Sequence, residues 1–509
     1  EMSRGLGDVY KRQVFMQKKG REKFASRMGF ILVSAGCAVG LGNVWKFPYI
    51  CGINGGAIFI LLYLFCLLLL GLPILICEFA VGRGSGKSIG SALRELSPQG
   101  TRWKVYRWFP FMGNYLLMMF YTMVAGWMLY YLYIMAIGKI NQESSAAVKE
   151  TFEQLLASPQ TMLAFTFLVV AMCIGVCALG VQNGVEKVSK VMMTLLIVLM
   201  VVMAINSLVL KNSEEGLKFY LVPNFEHMKE RGFGNIFFDA MTHAFFTLSV
   251  GMGSMAIFGS YLTKERRLTG EALHVTFLDT AIALMAGIII IPACFAYGVK
   301  PDAGPSLLFI TLPNVFQHMF GGRIWGTMFF VFMSFAALST VIAVFENIIA
   351  MTVDLLGWER KKALLVNLVG IFLLSIPAIL GYNIWSGVQI MGSGTTIMDF
   401  EDFLVSYNIL PLGSLLVVLF CTRDNGWGFD NFVEEVDTGV GRKFPRGIRN
   451  YMKYVLPLII LVIYFKGYYD TFAPKGIKVL GIWMTVAVLL VALILYCASG
   501  KGKTDKASN

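Results

Sequence analysis

Residues 34–43 read SAGCAVGLGN and residues 247–254 read TLSVGMGS, and each run interrupts an apolar stretch long enough to cross a bilayer. Gly36, Gly40 and Gly42 break the first stretch, and Gly251 and Gly253 break the other. Working outward, apolar runs of roughly the twenty residues that a hydrocarbon core demands recur from Met28 to Cys497. They predict twelve spans at about 28–50, 57–82, 109–138, 161–181, 188–210, 236–262, 275–299, 323–357, 362–381, 394–421, 449–467 and 478–498. The broken runs are the first and the sixth. Interruptions at corresponding positions of two five-helix halves are the sequence mark of an inverted repeat with a site near the midplane. Glycines that only let helices pack closely would leave the same letters at either run alone.

Composition agrees with a chain that lives in lipid. The 509 residues are 57% hydrophobic and 15% charged, with a mean hydropathy of +0.67, more apolar surface than one soluble core can hide. The expected fold is an all-α integral membrane protein with twelve transmembrane helices and broken helices 1 and 6. Its net charge of +12 does not call for nucleic acid. With the N-terminus inside, most of the 43 Lys and Arg residues fall on the inner side, which is the positive-inside bias. That places both termini in the cytoplasm and the chain in the inner or plasma membrane. The basic tail from Arg4 to Arg27 and the cluster Arg442, Lys443, Arg446 and Arg449 could touch anionic lipid, but orientation is the simpler reading. Nine cysteines, mostly within spans, show no CxxC or Cys/His spacing and read as small buried hydrophobes.

The division expected is a tail at 1–23, a first five-helix repeat at 24–210, an inverted second repeat at 236–421, two added helices at 449–498 and a tail at 499–509. The chain starts at Glu1, and residues before about Lys18 read as an extension or an assembly artefact. Nothing in the letters sets an oligomeric state.

Charge at the bilayer centre costs about 2.5 to 3.5 kcal/mol on insertion scales, so each polar residue there needs a reason. Lys46, Glu78, Asp239, Asp279 and Glu346 fall in or near spans, and Asn43 and His243 stand beside the breaks. Backbone carbonyls freed at Gly36, Ala38 and Val39, with the Asn43 side-chain oxygen, form the hard all-oxygen set that suits an alkali cation. Ala336, Ser339 and Thr340 lie at i, i+3 and i+4, on one helix face. Their oxygens could converge on an ion, or the hydroxyls could bond carbonyls of their own helix.

Longer motifs carry a resemblance. AVGLGNVWKFPYICGINGG at 38–56, LPILICEFAVGR at 72–83, GVEKVSK at 184–190, FFTLSVGMGS at 245–254 and AALST at 336–340 resemble the neurotransmitter:sodium symporter family over about residues 20 to 498. The resemblance implies the 5+5 inverted-repeat fold and sodium-coupled uptake of a small amino acid, with two sodium ions. It implies a first sodium site at Ala38, Asn43, Thr247 and Asp279, and a second at Gly36, Val39, Ala336, Ser339 and Thr340. Substrate would lie among Ala38, Gly40, Gly42, Tyr121, Phe246, Thr247, Ser249 and Met252, with Tyr121 on its carboxylate and Phe246 as a lid. An outer gate would pair Lys46 with Asp402, where relatives use arginine, and an inner gate Arg21 with Asp354. Glu78 and Glu346 match paired acids below the site.

Gly40 stands where monoamine carriers of the family have an aspartate, which argues for a substrate bringing its own carboxylate, held by sodium and by the amino-terminal dipole of the inner half of span one. Met252 and the VGMG run favour a hydrophobic or aromatic amino acid. No chloride is expected: the chloride-binding tyrosine remains as Tyr63, but His243 and Ala283 replace a glutamine and a serine, and Asp279 can supply the negative charge. Asp279 and His243 also keep open a proton-coupled carrier on the same scaffold. A membrane enzyme using His243 with Asp239 or Asp279 is disfavoured, with four histidines and no HExxH or GxSxG.

Overall fold

Lipid offers no partner for a backbone N–H or C=O, so an apolar run must satisfy its own groups, and it does so as a helix. The computed structural model describes residues 22–140, 145–298 and 307–500. Among these there is no β-strand, only one isolated bridge between Arg266 and Val440. Ten continuous helices are long and apolar enough to span: Ala57–Ser85, Trp103–Ala136, Pro159–Ala178, Val181–Leu208, Leu268–Ala296, Gly322–Leu356, Arg360–Leu380, Ile397–Thr422, Arg446–Lys475 and Ile477–Cys497. Arg27–Ala38 and Gly42–Ile53 form a bent pair whose axes turn by 58°. Phe233–Phe246 and Ser254–Ser260 are separated by residues 247–253, which leave the helix. In chain order these two are the first and sixth spans, so both breaks lie where the glycine runs predicted them.

The eleventh span runs on to Lys475 rather than 467, and two starts differ from expectation by a similar margin. The fifth span begins at Val181 rather than 188 and the seventh at Leu268 rather than 275. Glutamates in those first turns lower the hydropathy, but both have partners. The Glu186 carboxylate accepts the Ala25 N–H at 2.7 Å and the Ser26 hydroxyl at 2.9 Å, and it pairs with Lys190 at 2.7 Å. Glu271 pairs with Arg27 at 3.0 Å. The eleventh span, the faintest in sequence, contains a π-helical turn at Tyr451–Val455, and the Tyr451 hydroxyl donates to the Leu69 carbonyl at 2.8 Å.

The eighth and tenth spans are the most enclosed and the twelfth the least. The sixth-span break is pressed directly against the tenth span. Gly251 sits at φ +101°, and a Cβ there would overlap the Leu410 carbonyl, while a Cβ on Gly413 would overlap the carbonyl of Gly251. Backbone-to-backbone contact of this kind helps to fix the break in place. Extra π-helical turns at Gly42–Lys46 and Val405–Ile409 flank the same region.

Candidate functional site

The first-span break presents two opposite helix ends to one point. Arg27–Ala38 ends there in carbonyls, and Gly42–Ile53 begins there in amides. The amino-terminal dipole at the break therefore belongs to the half that follows it, not to the half that precedes it as the sequence reading had it. Carbonyl ends favour a cation and amide ends an anion, so a zwitterion with its coupling cation suits the pair.

Asp279 of the seventh span joins the two breaks. Its Oδ1 accepts from Asn43 Nδ2 at 2.8 Å, and its Oδ2 accepts the Thr247 hydroxyl at 3.0 Å. The carboxylate is fully buried. Asn43 Oδ1 is also buried and has no hydrogen-bond partner among the described residues. An amide oxygen in that condition costs free energy unless something accepts its lone pairs. Asp279 and Thr247 complete with it an all-oxygen donor set that fits an alkali cation.

The second constellation also assembles. Ser339 Oγ lies 3.1 Å from the Gly36 carbonyl and 3.0 Å from that of Ala336. Thr340 Oγ1 lies 3.2 Å from Gly36 O, 3.4 Å from Val39 O and 3.4 Å from Ala336 O. Five residues from two spans thus bring their oxygens together. Each hydroxyl donates to these carbonyls here; a cation among them would turn the hydroxyl lone pairs inward, so both readings of the trio describe one arrangement.

Between the constellations, Tyr121 of the third span accepts the Leu41 N–H at 3.1 Å, which leaves its own proton to donate. Gly40 has no room for a side chain: a Cβ would lie 2.6 Å from the Tyr121 oxygen and 3.0 Å from Thr340 Oγ1. An aspartate at this position would collide with both groups. Gly40→Ala is expected to lower uptake at least about tenfold, since overpacking of this kind costs about 1–3 kcal/mol and displaces Tyr121; an unchanged transport rate with an intact elution profile would contradict the placement. A Cβ on Gly42, in contrast, meets nothing within 4 Å. Ser249 adopts φ +50° and its hydroxyl reaches the Cys37 carbonyl at 3.3 Å, tying the sixth span to the first. Met252 is buried, and its carbonyl accepts from Asn114 at 3.0 Å. Phe246 is half-buried, with its ring 6.4 Å from that of Tyr407.

Lys46 Nζ and Asp402 Oδ2 are 3.6 Å apart, and both side chains are partly exposed. Asp402 also accepts the Ser406 hydroxyl at 2.8 Å. A pair of this kind is worth about 0–1 kcal/mol, so Asp402→Asn is expected to change the uptake rate by less than about fivefold. Arg21 lies outside the described residues. Asp354 accepts the Ser88 N–H at 2.8 Å, among its contacts.

The paired acids have separate partners. Glu78 Oε1 accepts the Gly251 N–H at 2.5 Å, stabilising the sixth-span break. Glu346 takes a two-pronged contact from Arg360 at 2.9 and 2.6 Å and the Tyr261 hydroxyl at 2.8 Å. His243 sits in an aromatic cage of Phe47, Phe59 and Tyr63, with ring centroids 5.4 to 6.2 Å away. Asp239, its partner in the enzyme reading, is instead bonded to Arg231 at 3.2 Å and Asn54 at 3.0 Å.

Sequence reasoning missed four participants: Tyr407 beside Phe246, Ser88 beneath Asp354, and Asn114 and Asn347 under the site. Asn347 Nδ2 donates to Asn114 Oδ1 at 2.9 Å and to Ser254 at 3.2 Å. The signal for the two asparagines was present, because a buried amide in a lipid-spanning helix needs a partner.

Two broken helices meeting around a buried all-oxygen centre, among a set of long apolar helices, define a membrane transport protein. The family model of the sodium:neurotransmitter symporter family matches residues 21–145 and 142–499. Sodium-dependent transporters of Bacillus subtilis (strain 168), YhdH, and of Haemophilus influenzae are similar, at 34% and 33% identity, each over 88% of this chain and 98% of the relative. The solved structure of MhsT in complex with L-phenylalanine superposes with a TM-score of 0.79 at 37% identity, over 88% of this chain and all of that one. The chain belongs to the sodium:neurotransmitter symporter family; it is a sodium-dependent transporter and not an enzyme.

Proposed function

We propose that this transporter imports a hydrophobic or aromatic L-amino acid together with two sodium ions by alternating access, and that it needs no chloride. The observation carrying the reading is Asp279, buried and bonded to Asn43 and Thr247 across the two breaks, beside the unpartnered oxygen of Asn43. A fixed carboxylate there can balance the first sodium without a second anion. Supporting the substrate class are the amide end at Gly42, the free proton of Tyr121 and the apolar walls from Met252 and Phe246. The phenylalanine in the MhsT structure agrees with that class.

Ala38, Asn43, Thr247 and Asp279 would hold the first sodium, and Gly36, Val39, Ala336, Ser339 and Thr340 the second. Neither ion would need to displace a protein charge. Two positive charges crossing about 100 mV release roughly 4.6 kcal/mol, enough for accumulation of more than a thousandfold. Lys46 with Asp402 would close the outer path, and Asp354 would take part in closing the inner one. The repeats would run over 24–210 and 236–421, with both termini cytoplasmic in a plasma membrane. Reconstituted vesicles with an imposed sodium gradient, presented with twenty labelled amino acids, test the reading. Sodium-dependent uptake of leucine, phenylalanine, tyrosine or tryptophan is expected; uptake unaffected by replacing sodium with choline would overturn it.

A further inference from the structure

The basic cluster that precedes the eleventh span is not used by the transport site, and it is held in a fixed shape. Val440 N–H donates to Glu265 O at 2.8 Å and Val440 O accepts the Arg267 N–H at 3.2 Å. The Arg267 guanidinium donates to the carbonyls of Asp437 at 2.9 Å and Gly441 at 2.7 Å. On the other side, Phe444 N–H donates to Asp437 Oδ1 at 2.8 Å, and the Phe444 ring packs 5.3 Å from that of Phe432. The two residues between these anchors, Arg442 and Lys443, are exposed, as is Arg446. Among the described residues none of the three has a side-chain ion pair, hydrogen bond or ring contact.

Nearby acids are already engaged. Asp430 pairs with Arg449 at 3.7 Å, Asp424 with Lys453 at 3.5 Å, and Asp437 holds the Phe444 N–H at 2.8 Å. Among the described residues Arg442, Lys443 and Arg446 therefore follow one another on one short braced loop without an ion-pair partner. Directly after them the eleventh span exposes Tyr454, Val455, Leu458 and Val462, a lipid-facing stripe that opens with a tyrosine of the kind found at headgroup level. Val440, just before the cluster, is 71% exposed.

We infer that Arg442, Lys443 and Arg446 form a binding site for the phosphate headgroup of an anionic phospholipid, whose acyl chains lie along the Tyr454–Val462 face. Charge complementarity identifies the occupant, and the adjoining apolar stripe selects a lipid over a soluble anion. Each basic residue near an anionic surface contributes about 1 kcal/mol, so three favour the anionic lipid by roughly 100-fold. Because the loop is bonded to residues 265–267, which connect the sixth span to the seventh, the headgroup would brace the same segment that links the broken helix to Asp279.

The full chain, purified in detergent, is offered phosphatidylglycerol, phosphatidylethanolamine with the same acyl chains, or glycerol 3-phosphate, and bound molecules are counted by native mass spectrometry. The parent is expected to retain phosphatidylglycerol over phosphatidylethanolamine by at least about tenfold. Arg442→Gln combined with Lys443→Gln and Arg446→Gln should remove the preference, whereas Arg442→Lys with Arg446→Lys should keep it. A cluster that served only to orient the chain would leave retention unchanged in the triple variant, and that result overturns the proposal. So would glycerol 3-phosphate competing as well as the lipid, or the lysine variant losing the preference as fully as the glutamine one.

Discussion

Asp279→Asn is expected to lower sodium affinity on the order of 100-fold and to make whatever uptake remains responsive to chloride. Two unit charges 4 Å apart interact by about 4 kcal/mol at an effective dielectric of 20; the asparagine keeps an oxygen ligand, so part of that is retained. The carboxylate now serves two jobs, facing the site and bonding Asn43 at 2.8 Å and Thr247 at 3.0 Å. An amide can take over the bonds but not the charge. The parent should transport equally in chloride and in gluconate. Asp279→Asn with Ala283→Ser should be faster in chloride, because the added hydroxyl supplies a donor one helical turn from position 279. A parent that stops in gluconate would show that Asp279 does not replace the anion. The same carboxylate predicts competition between protons and sodium. Lower pH should raise the half-saturating sodium concentration in the parent, and that dependence should flatten in the asparagine variant.

Removing both hydroxyls of the second constellation, Ser339→Ala with Thr340→Ala, is expected to weaken sodium dependence by a comparable factor through a different route. Bonds to a charged group are worth about 1.5–3 kcal/mol each, so the pair accounts for at least about 3 kcal/mol, or roughly 100-fold. Substrate affinity at saturating sodium should change far less, since Tyr121 and the first constellation are untouched. The hydroxyls also connect the eighth span to Gly36 and Val39, but each such neutral bond contributes only about 1 kcal/mol, too little to unfold the protein. Thr340→Ser, which keeps the oxygen, should retain most of the parent's sodium affinity. Sodium activation curves for the three proteins in vesicles measure this, and an unshifted curve in the double variant would remove Ser339 and Thr340 from the ion path.

Much of this was legible from residues alone, for one physical reason: in lipid the penalty on a charge or an unpaired backbone group is large enough to mark its position in the letters. The run SAGCAVGLGN announced a broken helix because glycines in a lipid-spanning helix expose backbone that something else must satisfy. Asp279 announced a site because a carboxylate there needs partners. The eighth-span trio followed from helical spacing, and its partners from the first break. Where charge was absorbed locally, the same logic misled: Glu186 and Glu271 hid the starts of the fifth and seventh spans.

Pairings across the chain were decided by the tertiary structure, because hydropathy and spacing carry no information on which buried polar groups meet. Glu346 is bonded to Arg360 and Tyr261, while Glu78 is bonded to the Gly251 amide. Asn114 and Asn347 brace the sixth-span break, and Tyr407 backs Phe246. Gly40 illustrates the division most plainly. From sequence it was an absent aspartate, a statement about substrate; in three dimensions it is also the only residue type that fits beneath the Tyr121 hydroxyl and beside Thr340. Sequence alone determined that the chain is a run of apolar membrane-spanning helices and where the first and sixth of them break, since lipid imposes that on each segment separately. Which groups converge at the breaks depended on how the segments pack, since a polar group in lipid can be satisfied by any neighbour within about 3 Å, and only packing determines which neighbour that is.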